Sequence, residues 1–238
     1  MNQIKKQKIS LIIPVYNEEG SIGKVIEDIP RKVVDEIIVV DNGSTDNSAE
    51  IAKSKGATVL SQPIRGYGAA CLKGIDYLKQ QSPSPDLLIF LDGDYSDYPE
   101  EAEELISKIN EGYDLVLGSR VLGVKQHKAQ LSSHSILGNK MAGFFLNLLF
   151  GGDYTDLGPF RIIKFNSLLK LNMADMNYGW TMEMQIKAQR YNLKTCEIPV
   201  RYRDRFAGQS KVTGTFKGSI KAFLKITYIV ILYFFRIK

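Results

Sequence analysis

The stretch LLIFLDGDYSD, Leu87 to Asp97, runs five apolar residues into three aspartates within six positions. The apolar run is of strand length and reads as a buried strand. Carboxylates this close hinder one another's ionisation, so a positive group is expected among them. Asp92 and Asp94, with Gly93 between them, can offer two hard oxygen ligands to one cation, and Mg2+ or Mn2+ suits such ligands. Asp97 reads differently, as the cap of a helix starting at Pro99.

Outward from this stretch, strand-length apolar segments alternate with helical ones. The strands are ISLIIPVY (9–16), EIIVVD (36–41), ATVLS (57–61) and YDLVLGSR (113–120); helical segments fall at 18–29, 44–56, 66–80 and 99–110. Gly56 is placed to stop the second helix. Continuous Val/Ile/Leu strands alternating with helices predict an α/β fold, a mainly parallel sheet flanked by helices on both faces. Ligands then gather at the carboxyl ends of the strands. The sequence puts PVYNEE, DNGSTD, DGDYSD and GSR there, four polar loops at one edge. Asp41 stands where a carboxylate can accept hydrogen bonds from a nucleobase or ribose. RGYGAA, Arg65 to Ala70, opens the third helix and either lets backbone approach a ligand or packs tightly against the sheet. Farther on, 135–152 and 178–192 read as helices and 156–164 as a strand. The stretch 194–204 is a further strand, with Pro199 marking an edge or an end.

At 238 residues the chain can form one large domain or two small ones. No linker divides it. Two cysteines, Cys71 and Cys196, are too few for a disulfide framework and read as reduced thiols of a cytosolic protein. No signal peptide is expected. The net charge of +5 is uneven: from Arg201 to Lys238, nine basic residues face one acid, Asp204. Within that tail, ITYIVILYFF (226–235) is too short to cross a bilayer as a helix. The tail therefore reads as a helix lying at a membrane interface or as a buried terminal helix, and its apolar end favours membrane over nucleic acid. No G-x-G-x-x-G follows the first strand and no G-x-x-x-x-G-K-[ST] occurs, which argues against hydride transfer and P-loop ATPase chemistry. His127 and His134 lack a partner at metal-ligand spacing and read as surface or loop residues.

Four segments in order, SLIIPVYNEEGSIGKVI, EIIVVDNGSTDNSAEIA, RGYGAACLKGI and LIFLDGDYSDYPE, resemble the inverting nucleotide-sugar glycosyltransferases of family 2, with the GT-A fold. DLVLGSR, LNLLFGGDYTDLGPFR, GWTMEMQIKA and RFAGQSK narrow the resemblance to dolichol-phosphate mannose synthase and the polyprenyl-phosphate glycosyltransferases. It covers roughly residues 8 to 215, and the order and spacing of the segments carry it.

The resemblance implies a GT-A domain over 1–214 and a membrane-surface helix over 215–238, with the helix 135–152 also near the bilayer. Pro14, Tyr16, Glu18 and Asp41 would hold the nucleotide. Asp92 and Asp94 would hold Mg2+ or Mn2+ and the sugar diphosphate. Arg120 would sit at a donor or acceptor phosphate. Arg161, Trp180 and Glu183 would shape the sugar and acceptor pocket. Arg205, Ser210 and Lys211 would close on phosphate. Mannose synthases of this group often carry glutamine two positions after the second metal aspartate; here Ser96 stands there. The expected reaction moves a hexose from a GDP- or UDP-sugar to a polyprenyl phosphate, at the inner face of the cell membrane. A lipid phosphate is already anionic and needs cations more than a base. A hydroxyl acceptor on a surface polysaccharide or glycolipid would need a base, and Glu183, then Asp156, are the candidates. A nucleotide-sugar binding protein without turnover is the remaining alternative, and an oligomer is compatible with all three.

Overall fold

The computed structural model describes residues 7–126, 131, 133–207, 232, 233 and 235. Seven strands form one sheet: β1 (Ile9–Val15), β2 (Glu36–Asp41), β3 (Thr58–Ser61), β4 (Leu87–Phe90), β5 (Leu115–Ser119), β6 (Arg161–Lys164) and β7 (Thr195–Pro199). Their order is β3-β2-β1-β4-β6-β5-β7. All neighbouring pairs are parallel except the two made by β6, which runs antiparallel to both β4 and β5. β7 lies at an edge and stops at Pro199, which lacks the N–H that a further ladder would need.

The strands read as continuous apolar runs because both faces are covered. Leu11, Ile13 and Val15 of β1 join one core cluster, with Ile22, Val25 and Ile26 of α1 (Ile22–Asp28) and Leu105 and Ile109 farther along the chain. Ile12 faces the other way, onto Ala70, Cys71, Ile75 and Leu78 of a helix on the opposite face. The helices are α2 (Ser48–Ser54), α3 (Tyr67–Lys79), α4 (Ala102–Asn110), α5 (Arg120–Gln126), α6 (Ser133–Phe150), α7 (Phe165–Leu171) and α8 (Trp180–Arg190). α5 and α7, seven residues each, start directly at the ends of β5 and β6 and are too short to show a period. Gly56 follows α2 with φ +79, the left-handed conformation that a terminating glycine takes without strain.

Gly66, at φ +147, and Gly68 serve a close approach of backbone to backbone. A β-carbon on Gly66 would lie 2.0 Å from the Met176 carbonyl oxygen, and one on Gly68 would lie 1.9 Å from that of Asp175. Ala69 N–H donates to Met176 O at 2.9 Å. The glycines of RGYGAA thus seat the 175–177 loop on the start of α3, rather than the sheet.

His127 lies outside the described residues, as does the side chain of His134 and most of the 215–238 tail. Of the tail, Tyr233 packs on α8: its hydroxyl donates to Glu183 Oε1 at 2.5 Å and its ring lies 5.5 Å from the Arg190 guanidinium. Among the described residues no helix is long and apolar enough to cross a membrane.

Candidate active site

The topology assembles one polar edge. The carboxyl ends of β1, β2, β4, β5 and β7 share it, and because β6 is antiparallel, its amino end brings Asp156 to the same edge. The chain leaving β7 then crosses the aspartate motif. Arg203 N–H donates to Ser96 O at 3.0 Å and Phe206 N–H to Asp94 O at 3.2 Å. Arg203 stacks 3.5 Å from the Tyr95 ring and donates through Nε to Tyr95 O at 2.6 Å. Arg201 is held by Glu101, Nε to Oε1 at 2.7 Å.

The acidic centre has the positive partner that the sequence demands. Asp94 is buried; its Oδ1 accepts from Ser96 N–H at 3.0 Å and Ser96 Oγ at 2.5 Å, and its Oδ2 lies 3.5 Å from Arg205 Nη1. Arg205 Nη2 bonds Glu18, whose other oxygen accepts from Ser21 Oγ at 3.2 Å. The Asp92 carboxyl is pushed up to about 7, first by burial and then by the Asp94 charge. No group of three or more His, Cys, Asp or Glu is preformed for a metal among the described residues. Asp92 and Asp94 alone still fit Mg2+ or Mn2+, which commonly takes one or two carboxylates and completes its shell with water and substrate phosphate oxygens. The Arg205 guanidinium already drawn to Asp94 shows that the position attracts a cation.

Beside it lie the ends of β1 and β2. The Arg65 guanidinium lies 3.5 Å over the Tyr16 ring. Asp41 Oδ1 accepts from Ser44 N–H at 3.0 Å. Asn42 ties the segment together, donating to Gln62 O and Ile64 O and accepting from Gly66 N–H at 2.7 Å. Pro14 pairs with Val40 one position inside the end of β1. On the other side Arg120 makes a two-pronged pair with Asp156, Nε to Oδ2 and Nη2 to Oδ1 at 2.8 Å each.

Pro14, Tyr16, Glu18, Asp41, Asp92, Asp94, Arg120 and Arg205 therefore share one edge. Ser210 and Lys211 lie outside the described residues. Five expectations need correction. Asp97 caps nothing: Tyr98 holds the cap position without a side-chain bond, and Asp97 is 2% exposed with both carboxyl oxygens unpartnered among the described residues. Burial, then Asp92 and Asp94, raise its carboxyl well above the usual range. Trp180 is fully buried and meets Phe90 edge to face at 5.9 Å, which makes it core. Arg161 is fully buried and donates to the main-chain carbonyls of Gly158 and Thr181, so its guanidinium does not face an acceptor. Glu183 is fully buried, accepts from the Ala174 and Asp175 amides and pairs with Lys187 at 2.7 Å; it anchors the 174–175 backbone instead of serving as a base. Asp156 is consumed by Arg120 and by Leu157 N–H at 2.8 Å. Arg203, with Arg201 and Arg205, is among the cations the sequence offers for a phosphate; Arg65 is the site residue that sequence reading passes over. Arg65 stood inside the quoted RGYGAA, but no local pattern predicts that it stacks on Tyr16.

A family model described as Glycosyl transferase family 2 matches residues 10–171. An uncharacterized glycosyltransferase of Mycobacterium tuberculosis is 30% identical over 216 residues, 91% of this chain and 94% of that one. A dolichyl-phosphate hexose transferase of Haloferax volcanii is 29% identical over 218 residues, 89% of this chain and 90% of the other. Among solved structures, glucosyl-3-phosphoglycerate synthase from Mycobacterium tuberculosis in complex with uridine diphosphate superposes with a TM-score of 0.73 at 21% identity, covering 96% of this chain and 80% of that one.

Proposed function

Because the chain belongs to glycosyl transferase family 2, we propose that it moves a hexose from a UDP- or GDP-linked donor onto the phosphate of a polyprenyl lipid. The observation that carries this reading is the edge itself. A paired-aspartate motif is crossed by a strap of three arginines, Arg201, Arg203 and Arg205, while Glu183 and Asp156 are both occupied. A phosphate acceptor is anionic without a base and is held by cations; a hydroxyl acceptor needs the free carboxylate that those two residues do not offer. The name of the Haloferax relative points the same way.

Tyr16, Asp41 and Arg65 take the base and ribose. Asp92 and Asp94 would hold Mg2+ or Mn2+; solved glucosyl-3-phosphoglycerate synthase complexes contain Mn2+ together with uridine-diphosphate-glucose. Bound there, the ion neutralises charge growing on the departing diphosphate. Arg205 holds Asp94 and Glu18 in place and offers its charge to phosphate, and Arg120, fixed by Asp156, faces the same edge. Attack in line with the leaving group inverts the anomeric centre. Leu137, Phe144, Phe145 and Leu148 expose a broad apolar face on α6. Together with the basic tail, this face supports a peripheral position at the inner face of the cell membrane.

The test incubates the protein with Mn2+, a polyprenyl phosphate and radiolabelled UDP-glucose or GDP-mannose. Label in the organic extract, released by mild acid, is expected. Label only in a water-soluble product refutes the lipid-phosphate acceptor, and donor binding without nucleoside diphosphate release refutes transfer.

A further inference from the structure

We propose that Asp97 and the Tyr67 hydroxyl bind the hydroxyl groups of the donor hexose and so select the sugar. This rests on the transferase reading above.

Asp97 is the most exceptional polar side chain in the structure. It is 2% exposed, and neither carboxyl oxygen has a hydrogen-bond partner among the described residues. Its main chain, by contrast, is fastened, for the carbonyl oxygen accepts from Arg203 Nη2 at 3.3 Å. The following helix makes no use of the side chain. Folded proteins pair nearly all buried polar atoms, because an orphan forfeits its hydration without return. A buried carboxyl without a partner among the described residues is open to a hydrogen-bonding ligand.

A second orphan stands near it. The Tyr67 hydroxyl, at the start of α3, is buried without an oxygen or nitrogen partner and has only the weakly bonding Cys71 thiol alongside. The charged groups that act on Asp97 are Asp92, Asp94, Arg120 and Asp156, and Asp92 also acts on the Tyr67 hydroxyl. Both groups thus lie within electrostatic reach of the first aspartate of the motif.

The chemistry of the pair narrows the ligand. Among the described residues no metal-binding set of side chains includes them. An anion would be repelled by the carboxyl groups. The groups assigned above to the base and ribose lie elsewhere, at Tyr16, Asp41 and Arg65. A neutral polyol satisfies both orphans, and in a sugar nucleotide the hexose is joined directly to the diphosphate that Asp92 and Asp94 hold. The hydroxyls of that ring are what a carboxyl and a phenol recognise by paired hydrogen bonds.

Titration calorimetry in Mn2+ tests this with two pairs of probes, UDP against UDP-glucose and GDP against GDP-mannose, on the wild type, Asp97→Ala, Asp97→Asn and Tyr67→Phe. In whichever pair binds, Asp97→Ala is expected to weaken the sugar nucleotide about tenfold or more while the nucleoside diphosphate stays within about twofold. Tyr67→Phe moves in the same direction by less. Urea unfolding without ligand should find Asp97→Asn as stable as the wild type or more so, since the cost of burying an ionisable carboxyl is removed. Equal losses for sugar nucleotide and diphosphate, or no loss for either, overturn the assignment, as does a destabilised Asp97→Asn. A wild type that binds neither nucleotide overturns the transferase reading and this inference with it.

Discussion

Asp156 provides the sharpest test of the site's construction. Its side chain is 1% exposed, that of Arg120 is 15% exposed, and the carboxylate accepts Arg120 N–H, Nε and Nη2 and Leu157 N–H, each at 2.8 Å. Replacing Asp156 by Ala leaves a buried guanidinium without its counter-charge. Breaking a buried pair in this way costs about 3–5 kcal/mol, a large share of the 5–15 kcal/mol typical of folded proteins (roughly). Trp180, fully buried and the only tryptophan, reports unfolding by fluorescence in a urea titration. The double variant Arg120→Met/Asp156→Ala removes both charges and should recover most of the loss. The pair also has a pH signature. Burial works to raise the Asp156 carboxyl, but Arg120 outweighs it and holds the group below its usual range. A carboxylate depressed in the fold stabilises above its unfolded pKa, about 3.9, and that contribution disappears as pH falls through the lower folded value. Asp156→Ala within about 1 kcal/mol of the wild type, or a double variant no better than the single one, refutes the buried pair.

Asp94→Ala should abolish Mn2+-dependent transfer, at least about a hundredfold, while circular dichroism stays native, because among the described residues its side-chain bonds reach only Ser96 and Arg205; unchanged turnover would remove the metal role. Gly68→Ala drives a β-carbon to 1.9 Å from Asp175 O and should cost about 3 kcal/mol in urea unfolding; a neutral result would mean that the 175–177 loop is not seated there. The Glu197 carboxyl is raised to about 7, chiefly by burial. A carboxyl raised in the fold favours its protonated form there, so wild-type stability falls as pH rises from about 4.5 to 7 and levels off above. Glu197→Gln should flatten that slope, measured as urea midpoints at a series of pH values, and an unchanged slope would place the titration elsewhere.

Much of this architecture is legible in one dimension. The five inner strands announce themselves as apolar runs because both their faces are buried, and Pro199 marks an edge because it cannot extend a ladder. The Asp92–Asp94 motif is equally legible, since acids at the end of such a strand have no structural reason to cluster. The helical residues of the second half mislead. Trp180 and Glu183 sit on α8, whose buried positions include Met182, Met184, Gln185 and Ile186, so nearly the whole helix is enclosed and its period says nothing about which face meets a ligand. Arg161 looks like an acceptor group, yet carbonyl oxygens of Gly158 and Thr181, distant or turned in ways no pattern encodes, satisfy it inside the core.

The strand-and-helix alternation, the paired aspartates and the excess of cations after β7 can be read along the chain, because hydrophobic periodicity and charge are local properties. The direction of β6 and the path of residues 201–206 emerge only on folding. Those two features bring Asp156 to Arg120 and Arg205 to Asp94 across separations of 36 and 111 residues. Such pairings follow from how sheets close and cores fill, and the balance of those packing energies is settled by the whole chain at once.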